Sequence, residues 1–350
     1  MGSVMATYTY QSRFRRGPRL SARDKWIAED LCLLYIAVIA LTATFTGIAY
    51  ILFPELGALS HDVFTRPWGK WANQPVRLIL TPTLTGIIGT LIARHAPYNV
   101  ATILLVVGAS VAVIALLRSA IAPAMSAGAL PLILGVKTWL YPPCILFGVV
   151  LLVGVLAVWR RYYSKKYASL ADASDSEVDE ILETAPRGKY WLAVLFLFLL
   201  IIGLASQLSG LRLILFPPLI TIAFEMFGHP EICPWLKRPF LFPVACFLSA
   251  LGGLIAFRLM GVHPVAAVLS IAMGIIILRI LDIHMPPALP VALLPFVMSS
   301  PNFEYPISVG IGTLVLTGMF LLYQRVSQDG PATNETSEKE VEGHESSGGS

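Results

Sequence analysis

Asp62 stands two residues before Phe64, and Glu225 two before Phe227, so two acids hold matching places in an apolar chain. Such a pair inside a membrane interface can bind a coupling proton or cation. Arg66 and His229 lie close by, and a paired or snorkelling residue at the membrane surface is the alternative. Arg118, Arg279 and Asp282 close long apolar runs just ahead of proline-rich stretches, where a cation can draw in an anion by charge and hydrogen bonds. Arg118 matches Asp282 in position and opposes it in sign, so an ion pair between the two halves or an asymmetric path is expected, against plain helix-end snorkelling. His284 could relay protons, its unperturbed pKa being about 6.5. Pro123, Pro286 and Pro287 complete the candidate pathway. Prolines at mid-membrane depth break helices and leave backbone N–H and C=O groups that protein, water or a ligand must satisfy. Helix kinks and close packing are the competing reading.

Other chemistries find no support. There is no phosphate loop, HExxH, GxSxG or EF-hand pattern, so no catalytic residues and no enzyme are expected. Cys32, Cys144, Cys233 and Cys246 are scattered without a CxxC pair, which argues against a zinc site or a disulfide framework and for small apolar filling. Neither a metal nor a cofactor is expected.

The elements that hold these residues are membrane helices. Of 350 residues 56% are hydrophobic and 13% charged, and the mean hydropathy is +0.73; soluble domains carry about 25% charged residues. Seven apolar runs approach the roughly 20 residues that cross a hydrocarbon core of about 30 Å: Leu31–Phe53, Val100–Leu117, Pro142–Trp159, Trp191–Leu208, Pro239–Met260, Val265–Ile283 and Pro306–Tyr323. The net charge of +4 sits in short stretches beside these runs, which suits membrane topology and not nucleic acid. The first run is too long for a signal-peptide core and reads as a retained helix. The start lacks the Ser or Thr that myristoylation requires.

The chain also repeats itself. Thr46-Gly47-Ile48 and Ile51-Leu52-Phe53-Pro54-Glu55-Leu56 recur as Ser209-Gly210-Leu211 and Ile214-Leu215-Phe216-Pro217-Pro218-Leu219, a shift of 163. At a shift of 164, Pro75, Gly89, Pro123-Ala124, Tyr141-Pro142, Gly148 and Gly154 meet Pro239, Gly253, Pro287-Ala288, Tyr305-Pro306, Gly312 and Gly318. The glycines six apart are expected to be close-packing positions. Each unit reads as a long helix, a short apolar segment (Phe53–Phe64; Phe216–Phe227), two helices, a proline-rich segment (Ala122–Val136; Met285–Val297) and a last helix. Four full spans per unit are expected, with the short segments re-entrant, or six if those segments cross.

Either parity is even, which makes the units parallel and puts both termini and the linker on one side. Basic residues in the N-terminal tail and linker make that side cytoplasmic. The expected fold is therefore an all-α polytopic bundle of two parallel tandem repeats in the cell membrane, an organellar membrane being the alternative. Its divisions are a basic tail (1–30), a first unit (31–159), a charged linker (160–190), a second unit (191–326) and a disordered acidic tail (327–350).

At the proline-rich segments the sequence resembles the HPP family of integral membrane proteins, whose motif is His-Pro-Pro followed by Ala-Gly-Ala-Thr-Ala-Leu. Pro286-Pro287-Ala288 and Ala292-Leu293 keep its register, with Met285 in the histidine's place and His284 one residue earlier. The first unit keeps only Pro123-Ala124 of this motif, and Asn73-Gln74-Pro75 resembles the family's Gln-Pro element. The resemblance implies a transporter of a small anion such as nitrite. The expectation is thus a secondary transporter or channel acting on a small solute or ion in the bilayer, with a homo-oligomer possible. The alternative is a scaffold or sensor that binds a partner through its linker or tail. The second unit, with its fuller motif, is where specific chemistry is expected.

Overall fold

The structure is a computed structural model, and it describes residues 20–163, 190–229, 238–283 and 285–328. The described residues form an all-helical bundle with 12 α-helices and no strand. In chain order they are α1 (Ala22–Thr46), α2 (Leu56–Thr65), α3 (Pro75–His95), α4 (Val100–Leu116), α5 (Ala124–Leu134), α6 (Tyr141–Tyr163), α7 (Trp191–Ser209), α8 (Pro217–Gly228), α9 (Leu241–Met260), α10 (Pro264–Ile280), α11 (Leu289–Leu293) and α12 (Glu304–Gln328). Short 3-10 turns extend α11 on both sides, so its helical stretch runs from Pro286 to Phe296.

Six helices are long and apolar enough to cross a membrane: α1, α3, α6, α7, α9 and α12. At 17 residues, α4 and α10 span about 25 Å. Their outer surfaces are built for hydrocarbon. Along α3, Leu80, Leu84, Ile87 and Leu91 face outward while Thr81, Thr85, Gly86, Gly89 and Thr90 face inward. Thr85 donates to Thr81 O at 3.1 Å and Thr90 to Gly86 O at 2.8 Å within the helix, while Thr81 donates to Ser119 Oγ at 2.9 Å, so these hydroxyls are all bonded. With lipid as apolar as leucine, the helices associate through small residues that let backbones approach. A Cβ on Gly89 would lie 1.9 Å from Gly128 O, and one on Gly253 would lie 2.0 Å from Ala292 O.

Side-chain bonds between loops define the two ends of the bundle. At the first end Tyr163 Oη donates to Asp24 Oδ1 at 3.2 Å, Trp159 Nε1 to Phe64 O at 3.2 Å, Arg160 to Pro67 O and Asn73 Oδ1, and Trp71 Nε1 to Ala120 O at 2.8 Å. At the second end Thr44 meets Val262 O at 3.1 Å, Arg94 meets Lys137 O at 2.6 Å, Tyr98 meets Ser206 at 2.6 Å and Arg258 meets Pro301 O at 3.4 Å. These bonds settle the path of the short segments. The chain leaves α1 at the second end, turns inward through 48–55, and α2 carries it out to the first end. It leaves α4 at the first end, runs inward through 117–123, and α5 carries it out to the second. Each short helix plus its arm therefore runs through the bundle from one end to the other. The order long, short, long, 17 residues, short, long occurs twice.

Candidate functional site

Gly47, at φ 70°, caps α1 in the left-handed region and turns the chain inward. The segment then makes a 3-10 turn at Ala49–Ile51 and reaches Pro54, and Leu56 and Gly57 close tight turns back to Phe53 and Pro54. Glu55 lands at the N-cap of α2 and makes no side-chain bond to its own helix. On the other arm Ala122 and Pro123 form a turn, Ala124 N reaching Ile121 O at 3.2 Å, and Pro123 sits at the N-cap of α5, placing Ser126 third in that helix. Ser126 Oγ donates to Glu55 Oε1. Glu55 is 1% exposed and Ser126 0%, and Glu55 Oε2 has no hydrogen-bond partner.

The surroundings place this carboxyl at mid-depth. Leu56 rests on Gly148, whose carbonyl accepts from Tyr35 Oη at 2.8 Å, and Tyr35 is halfway along α1. A Cβ on Gly57 would meet Ile271, Leu293 and the Leu289 backbone, so the head of α2 also touches the head of α11. Thr221 of α8 reaches Ala122 O at 3.4 Å. All four short elements thus converge, and two tyrosines frame the meeting point. Tyr141 Oη donates to Ala127 O at 2.9 Å and Tyr305 Oη to Val291 O at 2.5 Å, both within electrostatic reach of Glu55. The phenyl ring of Phe53 packs edge-on against Tyr141 at 6.1 Å. Between short half-helices this buried carboxyl has one oxygen on Ser126 and the other on nothing, and it lies near helix dipole ends, a setting suited to exchanging a proton or holding an anion.

The residues singled out from sequence distribute differently. Pro123, Pro286 and Pro287 are buried at the convergence. Asp62 is buried at the far end of α2, near the first end, in an ion pair with Arg66. Glu225 is half-buried near the end of α8. Arg279 pairs with Glu29 of α1 and lies 3.5 Å over the Trp26 ring. Arg118 and Asp282 are exposed and make no ion pair with each other, contrary to the expected link between the halves. They close α4 and α10 in the left-handed region, at φ 47° and 53°. His284 and Cys233 lie outside the described residues, as do most of the linker and the C-terminal tail. Cys32, Cys144 and Cys246 are free and buried. Gly148 and Gly312 are close-packed, but a Cβ on Gly154 or Gly318 would meet nothing within 4 Å.

Glu55 and Ser126 were not singled out from sequence, although a signal was present. Glu55 is the only charge in the buried run from Ile51 to Leu59, and the matching position holds Pro218. Ser126 likewise matches Pro290.

Comparison with known families bears on the second half. Residues 184–332 match the family described as HPP, transmembrane region. The HPP match encloses α7 to α12, the second run of the six-element order, and with the apolar spans it makes this an integral multi-pass membrane protein. Glu55 and Ser126 lie outside the HPP match. No curated protein and no solved structure matches the chain.

Proposed function

We propose that the protein is a secondary transporter or channel for a small anion, nitrite being the substrate that the HPP resemblance implies. The observation that carries this reading is the meeting of four short helices from both halves at mid-depth, around a carboxyl with one bare oxygen. Broken segments at corresponding places in two halves are the usual pointer to a transport site, because half-helix N-termini turn a positive dipole end toward it. Contacts between the halves are reciprocal: α1 lies against α10 and α4 against α7, while α2 meets α11 and α5 meets α8. A pseudo-two-fold axis along the membrane normal accounts for this reciprocity, and tandem parallel units are the proposed origin. Rocking one six-helix set on the other would expose the convergence to each side in turn.

The test is flux. Purified full-length protein in liposomes is expected to take up nitrite and a limited set of similarly small anions above protein-free controls, and Ala or Leu at Pro123 or Pro287 should slow that uptake. A response no greater than the controls across nitrite, nitrate, chloride, formate and bicarbonate sinks this reading.

A further inference from the structure

The two oxygens of Glu55 are unlike: Oε1 accepts from Ser126, and Oε2, equally buried, has nothing. An ionised carboxylate left in that condition loses the hydration it would have in water without replacement, so this side chain needs either a proton or a changed environment. The groups facing it are the hydroxyls of Tyr141 and Tyr305, each already donating to a carbonyl, with Cys144 and Cys246 beside them. Among the described residues no ion pair brings a Lys, Arg or His to it. A metal ion would need several further oxygen ligands, and the described residues contain no cluster of three acidic, histidine or cysteine groups that could hold one.

Glu55 also occupies the place an anion would want. It stands at the N-cap position of α2, a helix of 10 residues, without a side-chain bond to it, and is bonded through Ser126 to the first turn of α5, a helix of 11; helix N-termini favour negative charge. The second half offers no rival, since Pro218 and Pro290 replace the acid and the hydroxyl and lack N–H groups as well. Non-α arms approach this point from opposite ends of the bundle, 48–55 from the second and 117–123 from the first.

We propose that Glu55 is the proton-binding site of the pathway. Its ionised carboxylate fills the anion position at the heads of α2 and α5, and proton uptake vacates that position, so one proton and one anion move together. The step forms one O–H bond on the carboxylate and breaks it on release, and the pair crosses without net charge. This rests on the transport reading above.

Two measurements on full-length protein in lipid separate the ideas. In the first, infrared difference spectra between acid and alkaline baths are expected to show a carboxylic-acid carbonyl band that is lost in Glu55→Gln, and nitrite should shift the pH at which it appears. Ser126→Ala, which keeps the acid but removes the donor to its ionised form, should raise that pH. In the second, nitrite accumulation inside liposomes should rise about tenfold per pH unit by which the outer bath is more acid than the lumen, the ratio set by one proton per anion, and Glu55→Gln should abolish this dependence. Wild-type flux that ignores the gradient overturns the proposal and leaves transport standing. Absent flux with a nitrite-sensitive Glu55 band overturns transport and leaves the proton site standing. A band that never responds to bath pH overturns the site whatever the flux.

Discussion

A left-handed residue other than glycine costs the backbone about 1 to 2 kcal/mol, and this protein places two such residues at matching helix ends. Arg118 and Asp282 each follow a helix whose last carbonyls they satisfy: Arg118 N reaches Ala115 O at 3.1 Å and Ser119 N reaches Ile114 O at 2.9 Å, with Asp282 to Arg279 and Ile283 to Leu278 in the same pattern at 3.1 and 3.0 Å. This is the paired-bond helix stop that glycine normally provides. Their place is explained by backbone geometry alone, and their side chains stand in the open at the first end. Arg118→Gly and Asp282→Gly should therefore each raise stability by about 1 kcal/mol, read as an upward shift in the thermal unfolding midpoint in detergent. A fall would mean that the side chains hold contacts of their own. If Arg118 also gathers anions at the pathway mouth, Arg118→Gly will slow uptake while raising the midpoint, a combination that misfolding cannot produce.

At the scale of elements, the short helices are held by backbone contact against glycine. Adding a methyl at Gly89 or Gly253 drives it into a carbonyl oxygen of α5 or of the α11 stretch, and backbone cannot swing aside as a side chain can. Gly89→Ala and Gly253→Ala should each cost about 1 to 3 kcal/mol, measured by thermal unfolding, whereas Gly154→Ala and Gly318→Ala should be silent. Equal effects at all four would show that the contacts do not hold the bundle. The glycine pattern in the sequence shows only that these positions recur, because contact depends on which face meets α5. Most of the element order was legible: the positions of the short apolar segments and their proline breaks follow from length and composition. Three features were hidden, each for a physical reason. α1 begins at Ala22, well before its apolar run, because Asp24, Lys25, Glu29 and Asp30 form a charged first stretch satisfied at the bundle end. α3 is absent from the apolar runs because its inward face is threonine and glycine, polar in hydropathy yet satisfied within the helix or, at Thr81, by Ser119. Glu55 stayed unseen because only folding brings it to Ser126, 71 residues away.

At the scale of the whole molecule, the two ends carry unequal charge, and that inequality bears on orientation. Arg23, Lys25, Arg66, Lys70, Arg77, Arg118, Arg160, Arg161, Arg238, Arg279 and Arg325 belong to helix ends and loops at the first end; Arg94, Lys137, Arg212 and Arg258 belong to the second. Acids at the first end, such as Asp24 and Asp62, do not offset this, since orientation follows Lys and Arg near the spans and not net charge. Placing the first end in the cytoplasm spares these cations translocation and lets the arginines meet anionic lipid headgroups, each such contact contributing about 1 kcal/mol. Tyr162, at the end of α6, and Phe303, just ahead of α12, are exposed at 76% and 54% and lie at opposite ends, so they report the orientation directly. In a background with Cys233 replaced by Ser, whose remaining cysteines are buried, a cysteine at 303 should react with a membrane-impermeant maleimide on intact cells. A cysteine at 162 should react only after permeabilisation. The reverse pattern would put the cationic end outside and break the link between charge and topology. In the expected orientation the arm 48–55 comes from the outer end and the arm 117–123 from the inner, and under the proposed coupling an acid exterior would protonate the Glu55 carboxyl from outside and drive its anion toward the cytoplasm.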